Sequence, residues 1–578
     1  MDRACSPGGS EASPEVLGGY TDPEGGLTSL RASPAPEDEE STMVRKPAPL
    51  AAVTMATVML TSCGLTGAPQ GGGGEERQSG TVAASPTGSA PTSQPAAPET
   101  TATASSPTGA GADTRPALAS TQSTHTSAYK AEVVGLNRVA GKHLVVQLRL
   151  SNTGTDENIS WTGELGDNTR PLGEIRWASG IGVLDAAARR WLLPYKPADS
   201  PCLCSDERRD DLGYFIKPGE SLSVYAVLPA PSGNPATTTV VTPLGPPMMD
   251  VPISDEPVTP PPGQIFPDPE AQPVTVISHR IMTPSESPDK SEETTDDGDD
   301  LHVNLSSDVL FALNKADLTP RSRAVLTRTA KLIDASEGAT ITVEGHADSS
   351  GTDAINDPLS QRRAQAVQRA LSGLLTRTGV RFQAKGYGSR RPLYGNEDEE
   401  GRRRNRRVTV TFAKPRPAET RPATTPEADP APGGRGLTAQ GKDDGQPFTL
   451  EVTGLRRLPG DLGVLTYKIT NDGDAEAWHH ELNRSVEWMS YKYQAAGNVR
   501  LTDPATRRQY LPGRIMVQTG DRTDAYCACT ELAGVRVGTE KIAPGRTKEF
   551  WSLFALPAGA SSAQVKVAQY PPLRVPVR

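Results

Sequence analysis

Aromatic residues are scarce in this chain. Only 5% of its 578 residues are Phe, Trp or Tyr. One continuous core of that length would need more large apolar side chains to offset the entropy lost on ordering. Histidine occurs seven times, and nowhere at a zinc-ligand spacing with cysteine. No Ser/His/Asp set and no paired carboxylates mark a catalytic site, so an enzyme is not expected and no cofactor or metal is implied. Long hydrophobic runs are missing too. The best, residues 48–60, contains Pro49, Thr54 and Thr57 and falls short of the ~20 residues that span a membrane.

Proline and glycine are plentiful, at 53 and 55 copies. They collect in stretches that read as disordered linkers: 63–127, a Pro-rich then acidic segment 255–300, and 415–446. Compact domains are expected between them. The net charge of −9 is unevenly spread, since residues 301–414 hold 19 Lys and Arg against 12 Asp and Glu. The remainder is therefore strongly acidic.

Met43-Val-Arg45-Lys46 opens a basic stretch, residues 48–60 follow, and Leu60-Thr-Ser-Cys63-Gly64 closes the segment. That order resembles a bacterial lipoprotein signal peptide over 43–62, with Cys63 acylated and anchored to a membrane. Residues 1–42 are acidic and rich in Pro, Gly and Ser, which signal peptides do not normally follow. The expectation is that they are disordered and that translation starts at Met43. An extracytoplasmic, lipid-anchored position in the cell envelope follows.

Two segments, 128–254 and 447–578, resemble each other. Asn152-Thr-Gly154 answers Asn471-Asp-Gly473, and Asp185-Ala-Ala-Ala-Arg-Arg190 answers Asp503-Pro-Ala-Thr-Arg-Arg508. Cys202-Leu-Cys204 answers Cys527-Ala-Cys529, and the order never changes, as an internal duplication requires. Short β-branched runs such as 144–150 and 464–469, bounded by Gly and Asn, read as strands. Two homologous all-β modules of immunoglobulin-like sandwich type are expected, with an unknown protein partner conceivable for either. For Cys202, Cys204, Cys527 and Cys529 a structural disulfide within each pair is favoured over metal or redox chemistry.

Residues 301–414 alternate strands with helices and give an α+β domain. Strands are expected at 309–313, 341–345, 382–386 and 408–412. One helix runs from Thr319-Pro320 to about Ser336, and a second starts near Ser360. The segment carries Gly345-His-Ala-Asp348-Ser-Ser-Gly351, Asn356-Asp-Pro-Leu359-Ser360-Gln-Arg-Arg363-Ala364 and Gly401-Arg-Arg-Arg-Asn405-Arg406-Arg407-Val408. These motifs, in this order, resemble the OmpA-like peptidoglycan-binding domain; Ala347 and Ile355 depart from its usual Thr and aromatic. The resemblance implies that Asp348 and Arg363 clamp diaminopimelate of the peptidoglycan stem peptide, with Asn356 and Arg407 as further binding residues. A carboxylate for the ligand's ammonium and a guanidinium for its carboxylate suit that chemistry. The plainer readings are that Asp348 pairs with Arg363, that Asn356 caps the loop, and that the arginine run is solvated. Nucleic acid is not an expected partner. The implied function is to tether membrane to wall; the alternative is adhesion or sensing by the β modules, with the wall domain only placing them.

Overall fold

The computed structural model describes residues 113–170, 178–415, 437–484, 491–520, 522–530 and 540–578. The signal peptide, Met43, Cys63 and most of the first linker lie outside the described residues. No helix among the described residues is long and apolar enough to cross a membrane.

The first β unit has a four-stranded antiparallel sheet, ordered Ala119–Gln122, Tyr129–Val139, His143–Asn152, Ser221–Pro229. The second repeats it with Leu437–Asp443, Gln446–Leu458, Leu462–Asn471 and Thr547–Ala555. Both sheets slip register at one place, between Val133 and Gly135 and between Val452 and Gly454. Polar anchors repeat as well. The Asn152 amide donates to the Glu157 and Ile216 carbonyls, and the Asn471 amide to those of Ala475 and Ile542. Cys202 is bonded to Cys204 and Cys527 to Cys529, and all four are buried. The second cysteine of each pair bridges the sheet's last strand, at Ala226 and Ser552. Each sheet packs its apolar face over a separate core, centred on Trp161 and Leu148 in one unit and on Phe448 and Tyr467 in the other.

The linker boundaries need correction. Ala119–Gln122 and Leu437–Asp443, the opening strands of the two sheets, fall inside segments expected to be disordered. The larger correction concerns 255–300. Residues Val274–Glu286 form a thirteen-residue strand. Its first half pairs with Arg190–Pro197 of the first unit, for example Ile277 opposite Leu193. Its second half pairs with Arg514–Thr519 of the second unit, with Ile281 opposite Ile515. It then turns into Glu292–Asp296, which joins the central domain's sheet through Asp300–Ser306. The described residues accordingly fold as one compact unit rather than as beads on a string. A shared apolar cluster seals it: Leu184, Trp191 and Val241 of the first unit pack with Leu458, Val464, Trp551 and Leu553 of the second, around Ile281.

The acidic residues misread as linker are neutralised from a distance. Arg404 binds Glu286 at 2.6 Å and Glu293 at 3.0 Å, while Arg508 of the second unit binds Glu292 at 2.7 Å. Tyr394 donates to Glu293 at 2.5 Å and packs with Leu511 and Tyr491. Part of the charge imbalance in the sequence is thus an internal pairing, of Glu286 and Glu293 with the basic run through Arg404 and of Glu292 with Arg508.

The central domain orders its strands Glu292–Asp296, Asp300–Ser306, Arg407–Ala413, Thr340–Gly345, Arg381–Gly386, the last two parallel. Helices Ser322–Ala335 and Asp353–Ser372 bury Val325, Ile333, Val367 and Leu371 against Val303, Val343, Val408 and Val410. The strand expected at 309–313 is instead a short helix, Ser307–Leu310, followed by Phe311 bridging Leu318. The second helix begins at Asp353, earlier than expected, and continues through Pro358. Proline normally marks a helix boundary because it lacks the N–H and crowds the preceding turn. Here the cost is tolerated near the helix start, where packing against the sheet holds the turn.

Candidate functional site

Two close approaches place the site. A Cβ on Gly345 would collide with the Ser360 backbone, and one on Gly386 with the Gln361 backbone. Glycine at these strand ends lets helix Asp353–Ser372 lie directly on the sheet. The Ser360 hydroxyl accepts from the Gly388 N–H at 3.0 Å, and the Gly388 carbonyl accepts from the Ala347 N–H at 2.8 Å. The loop after Gly345 and the helix are thereby locked together, with Asp348 on one and Arg363 on the other.

Asp348 is buried, and its carboxylate accepts from the Ser350 N–H at 2.9 Å, from the Ser350 hydroxyl, and from Arg406 Nη1 at 2.8 Å. Burial alone would raise its pKa, but Ser350 and Arg406 outweigh that and hold it below the usual carboxylate value. Arg406 also binds Asp308 and Glu399, each at 2.8 Å, and its own pKa is raised, chiefly by the Asp308 bond. Asp348 is therefore a fixed anion held from behind.

Arg363 is 8% exposed. Its Nε donates to the Lys315 carbonyl at 3.0 Å, and its guanidinium lies 5.1 Å from the centre of the Phe311 ring. Among the described residues no carboxylate forms an ion pair with it, so the expected plain Asp348–Arg363 pair is absent there. Burial lowers its pKa, opposed by the nearby charges of Asp308 and Asp348. Its place in the helix also differs from expectation. With the helix starting at Asp353, Arg363 sits in about the third turn rather than the first.

Asn356 donates its amide to the Ser350 carbonyl at 2.8 Å and stands beside Gly351, whose φ of +81° closes the loop. It holds the Asp348 loop from within. Arg407 is not brought to the cleft. Val408, Val410 and Phe412 face the helices, so strand alternation turns Arg407 to the opposite side of the sheet. There it meets Thr409 Oγ1 and the Arg391 carbonyl, and burial pushes its pKa down to about 10. The same alternation could have found Arg406, which sequence reasoning passed over, because one residue earlier points to the helix side. Asp308 had no comparable signal. The rest of the basic run is occupied: Arg402 pairs with Glu399 and Arg403 with Glu400. Among the described residues no cluster of His, Cys, Asp and Glu could hold a metal ion.

Comparison with known proteins places this geometry. Residues 310–406 match the OmpA family. Over 106 residues the chain is 42% identical to outer membrane porin F of Pseudomonas aeruginosa, covering 18% of this chain and 30% of the porin. Over 125 residues it is 37% identical to the putative lipoprotein YfiB of Escherichia coli, covering 21% of this chain and 76% of that protein. The peptidoglycan-associated lipoprotein of Burkholderia pseudomallei, a solved structure, is 30% identical over 18% of this chain and 88% of its own, with a TM-score of 0.16. The match thus spans under a third of the porin and three quarters of the lipoprotein, and it leaves both β units outside.

Proposed function

Since the chain belongs to the OmpA family through residues 310–406, we propose that it grips the bacterial cell wall non-covalently, by binding diaminopimelate of the peptidoglycan stem peptide. The observation that carries this reading is the unspent fork of Arg363. A guanidinium this buried is costly without a counter-charge, yet both terminal amino groups lack a protein partner among the described residues. A carboxylate entering the cleft would supply bidentate, charge-assisted bonds. The ammonium on the same ligand carbon would meet Asp348, which Arg406 and Ser350 keep ionised and aimed. Asn356 acts indirectly by shaping the Asp348 loop, and Arg406 replaces Arg407 as the arginine of that motif at the cleft.

With Cys63 acylated, the protein would tether a membrane to the wall. The flanking units are read as immunoglobulin-like sandwiches, on the support of two sheets closing over each core. Co-sedimentation of the full chain with insoluble peptidoglycan tests the wall reading. Wild type is expected to pellet, and Asp348→Ala and Arg363→Ala to stay in solution. Equal pelleting of all three refutes the clamp; undiminished pelleting on walls without diaminopimelate refutes the ligand.

A further inference from the structure

The duplicated units carry the same face, closed in one and open in the other. In the first unit the ladder places Leu184 between Trp191 and Thr239. In the second it places Thr502 between Gln509 and Gln564. The first row is covered by the second unit, leaving Trp191 1% exposed beside Leu458, Trp551 and Leu553. The second row instead lines a cavity of about 590 Å³, walled by Arg507 and Arg574 and flanked by Pro288 of the acidic hairpin's turn. A terminal face needs only to be soluble. This one is concave and sugar-sized, and it substitutes neutral hydrogen-bonding groups for every apolar residue in the row.

The arginines identify the charge of the occupant. Arg507 corresponds to Arg189, and both hold left-handed backbone, with φ of 60° and 49°. Arg189 is buried and already grips a carboxylate, Asp296, at 2.8 Å, together with the Gly460 carbonyl at 3.0 Å. Arg507 is displayed on the equivalent turn, pinned by its N–H to the Asp503 carbonyl at 2.8 Å. Among the described residues neither Arg507 nor Arg574 has a carboxylate partner. Asp503 itself lines the cavity, and its carboxylate is engaged by its own turn, accepting from the Ala505 and Thr506 N–H groups and from the Thr506 hydroxyl. Next to Pro288, Asp289 accepts from the Ser287 and Ser291 hydroxyls.

We propose that this cavity in the second β unit is a binding site for a short acidic saccharide. Its carboxylate lies against Arg507 and Arg574, and its hydroxyls meet Thr502, Gln509 and Gln564. The site is separate from the wall cleft and does not depend on it.

Calorimetric titration of the full chain with digalacturonate tests this, with maltose as the neutral probe. Saturable binding of digalacturonate is expected, weakening as salt rises. Arg507→Gln and Arg574→Gln should each weaken it by about tenfold or more, whereas Asp348→Ala should not change it. Both arginines are exposed, so equal melting temperatures are expected and serve as the control for folding. Amide shifts at Thr502 and Gln564 on titration should mark the site. Absence of saturable binding, equal binding of maltose, or wild-type affinity in both variants overturns the proposal.

Discussion

At one position in the first β unit stands Trp191; at its counterpart in the second stands Gln509. The tryptophan is sealed beneath a neighbouring unit, and the glutamine looks into an open cavity. Around them the two units keep the same strand order, the same register slip and the same anchoring asparagine. Interior contacts are shared because each unit must close its own core. Outer faces diverge because each meets something different: another unit on one side, solvent or a ligand on the other. The central domain docks by a third means, through Arg404, Tyr394 and the acidic hairpin, where charge and hydrogen bonds join a small apolar contact of Tyr394 with Leu511 and Tyr491.

The first test breaks the contrast outright. Trp191→Gln gives the first unit the second unit's residue inside a packed seam. It should cost about 3–5 kcal/mol, read as a lowered denaturant midpoint. Tyr394→Phe acts on the ionic seam alone, removing the donor to a buried carboxylate. A loss of about 1–3 kcal/mol is expected by the same measurement. If the seam also steadies the Asp348 loop through Asn396, which accepts from the Ser349 N–H at 3.1 Å, wall binding should weaken in parallel.

Acid should sharpen the difference between the seams. Glu540 of the second unit joins the first through His125 at 2.9 Å and is also paired with Lys548 of its own unit at 2.7 Å. Burial would raise its pKa, but these partners hold it down to about 2, against an ordinary 4.5. Its contribution is therefore complete above pH 4.5 and is lost as pH falls through about 2. Glu286 is shifted the other way, raised by burial despite Arg404, so its charged form disfavours folding where it is ionised in the unfolded chain. On acidification the Glu540 contact should weaken while the burden at Glu286 is relieved; hydrogen exchange at the two seams would resolve the opposite trends. The smallest effect is expected from Arg456→Ala, which removes an exposed pair with Asp250. About 0–1 kcal/mol is anticipated, vanishing at high salt.

Local patterns carried much of this in the sequence. Residues 341–345 and 408–412 alternate apolar and polar side chains and form strands within a residue or so of expectation. The strands at 144–150 and 464–469 were legible for the same reason. Asp348 and Arg363 were singled out by motif, and the structure puts them on interlocked elements. What escaped depends on distant partners. Glu286, Glu292 and Glu293 read as linker acids because Arg404 and Arg508 lie more than a hundred residues away. The helix expected from near Ser360 starts seven residues earlier, because the sheet that offsets the cost of Pro358 inside it is not visible in the local sequence.

The strand Val274–Glu286 also sets an order on biosynthesis. Its early half finds Arg190–Pro197, already made, as soon as it emerges. Its later half must wait for Ile515 and Met516, after the whole central domain has been synthesised. Until then an apolar strand edge stands unpaired, a template for wrong partners. Pairings this distant in sequence fold slowly. The last-made unit is thus what completes the first, and a chain truncated after the central domain would be left with an open, adhesive edge.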